Sequence, residues 1–109
     1  MAYDESLASR VREVLPGGPD LTEKKMFGGL CFLIGGNMCC GITGDQLMLR
    51  VGPQAYESAL SRPHAREMDF TGRAMKGMVY VDDAGISTEE DLADWVTLAV
   101  RFAGSLPAK

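Results

Sequence analysis

The sequence has no apolar run approaching the roughly 18 residues needed to cross a bilayer. Its first residues, Met1-Ala2-Tyr3-Asp4-Glu5, lack the basic-then-apolar pattern of a secretory signal. The expectation is a cytoplasmic chain with no membrane contact. Positive charge is not in excess: 11 Lys and Arg stand against 15 Asp and Glu, for a net charge of −4. A domain that held nucleic acid by its overall charge would be basic, because neutralising phosphates supplies most non-specific affinity. Histidine occurs once, as His64, so neither a Ser-His-Asp set nor a helical His-Glu-x-x-His is present. There is no dinucleotide fingerprint, and Gly28-Gly29 lacks the Lys-Ser/Thr and helix that complete a phosphate loop. The three cysteines are odd in number and have no Cys-x-x-Cys spacing, which points to reduced thiols and no metal.

What is present suits one soluble α+β domain. Of 109 residues, 46% are hydrophobic and 24% charged, enough apolar surface to offset the entropy of ordering one core. No repeat, linker or low-complexity tract interrupts the chain.

Asp4 is placed to cap a first helix ending near Leu15, with Leu7, Val11, Val14 and Leu15 at helical spacing. Pro16-Gly17-Gly18-Pro19 stops it, and Asp20 to Thr22 reads as a connector. Met26–Ile34, Met38–Thr43 and Gln46–Val51 then form a three-stranded antiparallel meander, with turns at Gly35-Gly36-Asn37 and Gly44-Asp45. Gly52-Pro53 opens a second helix, with Tyr56, Ala59 and Leu60 on its buried side. Two strands follow, near Glu67–Phe70 and Met75–Val81. The last helix starts at a capping box, with Ser87 as N-cap and Glu90 reaching back. Its stripe runs through Leu92, Trp95, Val96, Ala99, Phe102, Ala103 and Leu106. The order is helix, three strands, helix, two strands, helix, with the helices mainly on one face of an antiparallel sheet.

The strand register is set by the apolar pattern. A three-residue loop at Gly35–Asn37 aligns Leu30, Phe32, Ile34, Met38, Cys40, Ile42, Leu47, Leu49 and Val51 on a core face. The opposite face then carries Phe27, Cys31, Leu33, Cys39, Thr43, Met48 and Arg50, too apolar for a face that meets only water. A two-residue loop would instead place Asn37, Cys39 and Gly41 on the core face, a poorer set.

The string Lys24-Lys25-Met26-Phe27-Gly28-Gly29, followed by a strand, resembles the TfoX/Sxy N-terminal domain family. The likeness continues through Gly36-Asn37-Met38-Cys39-Cys40-Gly41 and Leu47-Met48-Leu49-Arg50-Val51. It resumes at Arg62-Pro63-His64-Ala65, Met68-Asp69-Phe70-Thr71-Gly72-Arg73 and Met75-Lys76-Gly77-Met78-Val79-Tyr80-Val81. The resemblance implies a compact α+β domain and a role like that of its named members, regulators of natural competence that act on transcription. Those regulators carry a further C-terminal domain, so the 109 residues are expected to be a stand-alone N-terminal domain.

The expected function is a non-enzymatic regulatory and protein-interaction module without a cofactor. It would contact a partner in the transcription machinery, or a second copy in a homodimer, through Lys24, Lys25, Phe27, Leu33, Met48 and Arg50. The plainer reading of Lys24 and Lys25 is two solvated charges that protect an edge strand. An alternative is a thiol sensor or small redox enzyme using Cys39, which the register sets on the outer face opposite Arg50 and Leu33. A neighbouring guanidinium favours a thiolate. The plainer reading of Cys39 is a small buried hydrophobe. A third reading, direct nucleic-acid binding through Lys24 and Lys25, runs against the acidic balance. Asp82-Asp83 and Glu89-Glu90 sit at a turn and a helix start, where carboxylates have structural roles.

Overall fold

A computed structural model describes residues 3–15, 20–26, 28–67 and 77–107. The elements are α1 (Glu5–Val14), β1 (Leu21–Met26), β2 (Gly29–Ile34), β3 (Asn37–Thr43), β4 (Gln46–Arg50), α2 (Tyr56–Leu60), β5 (Ala65–Glu67), β6 (Met78–Val81), a 3-10 turn (Asp83–Ile86) and α3 (Glu89–Gly104). The six strands form one antiparallel sheet in the order β1-β2-β3-β4-β6-β5. β6 returns to pair with β4, which leaves β5 at the edge.

The α+β architecture is the expected one, with one strand more in the meander. The sequence pattern predicts a connector over Asp20–Thr22 and a first strand over Met26–Ile34, but Leu21–Met26 forms a separate strand, β1, paired with β2 along its full length from Leu21↔Ile34 to Met26↔Gly29. Its Thr-Glu-Lys-Lys run hides the strand pattern, because an edge strand needs few apolar residues.

The helices lie against one face. Leu7, Ala8 and Val11 from α1, and Leu15 just after it, meet Leu92, Trp95, Val96, Ala99 and Ala103 from α3 over Leu30, Phe32, Ile42, Leu47 and Leu49 of the sheet. Tyr56 and Ala59 of α2 join the same core. Asp4 caps α1 by accepting from the Ser6 and Leu7 amides at 2.9 and 3.2 Å. Arg10 ties α1 to the start of α3 through Glu89 and the Ile86 carbonyl. Arg12 reaches the edge strand, its Nε and Nη2 each donating to the Glu23 carboxylate at 2.9 Å. That bond holds the Glu23 carboxyl below its ordinary range. The α3 cap falls one residue later than expected: Thr88, not Ser87, accepts from the Asp91 amide.

Gly35 and Gly36 make a two-residue turn, both at positive φ, so Ile34 faces Asn37. Beyond that turn the register shifts. Leu33 pairs with Met38 and Phe32 with Cys40, leaving Cys39 as an extra residue in β3. This β-bulge reconciles the two loop lengths, with the short turn at the hairpin end and the apolar alignment of Phe32, Cys40 and Ile42 restored beyond it. Of the nine residues expected inward, all but Met38 pack in or against the helix-side core. Met38 lies on the outer face and Cys39 points inward, both reversed from expectation. Asn37 is buried, with its amide donating to the Pro107 carbonyl at 2.9 Å.

Candidate functional site

The outer face of the sheet is built by strand parity. Cross-strand pairing lines up Lys24, Cys31, Gly41, Met48, Tyr80 and Arg66 in one row across all six strands. A parallel row contains Thr22, Leu33 and Met38, with Arg50 and Met78 beyond the bulge. Cys31, Leu33, Met48 and Met78 form a second apolar cluster, with Met38 and Tyr80 packed against it. Gly41 makes that packing close. A Cβ there would sit 2.9 Å from Met48 Cε and 3.0 Å from Cys31 Sγ.

Leu33 and Met48 are on this face, as expected, but they do not present themselves to a partner. Met48 and Cys31 are 0% exposed and Leu33 is 8%. The chain buries them itself, which removes the exposed apolar patch on which docking at these two residues was argued. Lys24 is exposed and projects on this face beside Cys31. Lys25 is also exposed, but it pairs with Leu30 of the opposite, helix-side face, so the two lysines do not make one patch. Phe27 lies outside the described residues. Arg50 starts opposite Met78, but its guanidinium rests 5.3 Å from the centre of the Phe102 ring on α3. It therefore reaches past the strand end to the helix side.

Tyr80 and Arg66 complete this surface, and the sequence pattern does not single them out. The Arg66 guanidinium stands 5.0 Å from the Tyr80 ring centre and pairs with Asp82 at 3.3 Å. The signal was faint, because β5 is three residues long and its register depends on β6.

Cys39 does not form the outward, Arg50-flanked thiol that the alternative reading required. It is 0% exposed within the helix-side core, beside Cys40. The bulge explains this, since two successive residues of β3 turn their side chains to the same face. The Cys40 thiol is pushed well up, first by its hydrogen bond with Cys39, then by burial and by the charges that Cys39 and Cys31 would carry. Burial raises Cys31 to about 11. Such thiols stay protonated near neutral pH and are poor nucleophiles. None of the three forms a disulfide. Among the described residues no group of three or more His, Cys, Asp or Glu side chains is placed to hold a metal ion. No helix among them is long and apolar enough to cross a membrane.

A family model for the TfoX N-terminal domain matches residues 13–103. The chain belongs to this family. The matched TfoX N-terminal span runs from the end of α1 to the last turn of α3, so it contains the whole sheet and both faces just described. No curated protein and no solved structure matches the chain.

Proposed function

We propose that this TfoX N-terminal domain is a regulatory module that acts in competence-related control of gene expression by binding another protein. The observation that carries the reading is the family match over residues 13–103. Two features of the molecule support binding over chemistry. The three thiols are buried, and two of them are shifted toward the protonated form. The two basic side chains of the six-strand row, Lys24 and Arg66, lie at opposite edges of the sheet instead of converging on a reacting centre. The acidic balance and the split of Lys24 from Lys25 argue against a phosphate-binding patch on β1.

The test is deletion and complementation in the organism of origin, reading transcripts of DNA-uptake genes and transformation frequency. Loss on deletion and recovery with the wild-type chain support the reading. Unchanged transcripts and unchanged transformation overturn it.

A further inference from the structure

Three contiguous hollows run along the exposed side of α3. The largest, about 410 Å³, has Val51, Pro53, Leu98 and Phe102 as its apolar wall and Arg101 at its rim. Its floor exists because residue 52 is glycine. Gly52 sits at φ +86°, and the Phe102 ring occupies the space that a Cβ would need. The second hollow, about 230 Å³, shares Leu98 and Arg101 with the first and adds Arg62. The third, about 220 Å³, continues from Arg62 to His64 and Trp95. One groove results, apolar at one end and polar at the other.

The arginines are distributed unevenly around the fold. Among the described residues, Arg10, Arg12 and Arg66 are paired with carboxylates. Arg50, Arg62 and Arg101 have no carboxylate partner; Arg62 and Arg101 line this groove, and Arg50 stacks on Phe102, which walls the first hollow. The Arg62 guanidinium lies 3.8 Å from the centre of the Trp95 ring, which fixes its plane and leaves its donors to a ligand. Arg50 rests on Phe102 at 5.3 Å. In a chain of net charge −4, the apolar hollow has a cation, Arg101, as its one charged lining residue, while Arg62 shares the other two hollows with Asp94 and Asp91.

We infer that this groove binds an acidic peptide segment of a partner protein, with an apolar anchor residue in the Val51–Phe102 hollow and carboxylates on Arg101 and Arg62. The inference rests on the reading of the chain as a protein-binding module and names the surface it uses. Charge complementarity selects an anion, and an apolar wall beside the cations selects one with a hydrophobic side chain. Asp94 in the second hollow and Asp91 in the third would repel a continuous phosphate backbone, which disfavours nucleic acid. A peptide can place its carboxylates to avoid them.

The experiment is selection of a phage-displayed random peptide library on the immobilised chain. The best peptide is then titrated by fluorescence anisotropy against the wild type, Arg101→Glu and Gln54→Glu. Both substituted residues are exposed, so both variants are expected to melt with the wild type, and thermal unfolding checks this. The expected result is enrichment of peptides with an apolar residue next to Asp or Glu. Binding should weaken about tenfold or more in Arg101→Glu. Peptide-induced amide NMR shifts should concentrate at Val51–Ala55 and Leu98–Ser105. No enrichment, equal binding by folded Arg101→Glu, or shifts centred on the outer sheet face would overturn the groove assignment. So would salt-sensitive binding of a 20-nucleotide single strand tighter than any peptide. None of these results touches the deletion experiment, so the groove can fail while the regulatory role stands.

Discussion

Replacing Met48 by alanine separates a closed outer face from an open one. Met48 is 0% exposed, pairs across strands with Gly41 and Tyr80, and extends its Cε over Gly41 toward Cys31. Truncation removes three methylene-sized groups, about 0.8 kcal/mol each in transfer free energy, or about 2.4 kcal/mol. Gly41 has no side chain with which to fill the gap, so a cavity penalty of roughly 1 kcal/mol adds to this. The total, about 3 kcal/mol, is a large share of the roughly 5–15 kcal/mol that stabilises a domain of this size. Urea unfolding should show the midpoint falling with an unchanged slope. Met48→Leu, which nearly conserves volume, should cost under about 1.5 kcal/mol. If Met48→Ala costs less than about 1 kcal/mol, the side chain is solvated and the outer face is open for docking after all.

Other consequences can be measured on the same preparation. Thr88→Ala should cost about 1 kcal/mol by leaving the Asp91 amide without its cap, while Ser87→Ala should cost less than about half that. Because Glu23 is held below its ordinary range by Arg12, its contribution is present above about pH 4.5 and lost as pH falls. Glu23→Gln should therefore cost under about 1 kcal/mol at pH 7, since the pair is well exposed, and progressively less as pH falls below about 4.5. Cys31 is shifted the other way, from 9.0 to about 11, so its contribution is intact below pH 9 and lost as pH rises toward 11. Stability should drop over that range by roughly 2–3 kcal/mol more in the wild type than in Cys31→Ala, with Cys40 supplying a residual slope in both.

Much of the fold could be read from residue order because local signals agreed with one another. Asp4, the Gly44-Asp45 turn, and the alternation of Leu47 and Leu49 with Met48 each named one conformation, and the fold adopts all of them. What escaped was decided at a distance. β1 is a strand because β2 offers it an edge, and nothing in Leu21–Met26 shows this locally. The Cys39 bulge arises from a conflict between two good signals. Gly35-Gly36 favours a tight turn, Phe32 and Ile42 demand core positions, and one extra residue in β3 satisfies both. Which residue is expelled depends on three-dimensional packing, and Cys39 was small and apolar enough to be turned inward. The candidate site was less legible for the same reason. Parity identified Leu33 and Met48 as outer-face residues, but only their neighbours show that the chain buries them. The arginines that line the α3 groove come from the loop after α2 and from α3, so no contiguous motif announced them.

The most direct test of the account is complementation of a deletion strain with two variants side by side, Arg101→Glu and Cys39→Ala, with steady-state protein levels matched. The account places function in partner binding at the α3 groove and gives Cys39 no role beyond packing. It predicts that Cys39→Ala restores DNA-uptake transcripts and that Arg101→Glu does not. Recovery by Arg101→Glu together with failure of Cys39→Ala would contradict it and return the thiol to the centre of the mechanism.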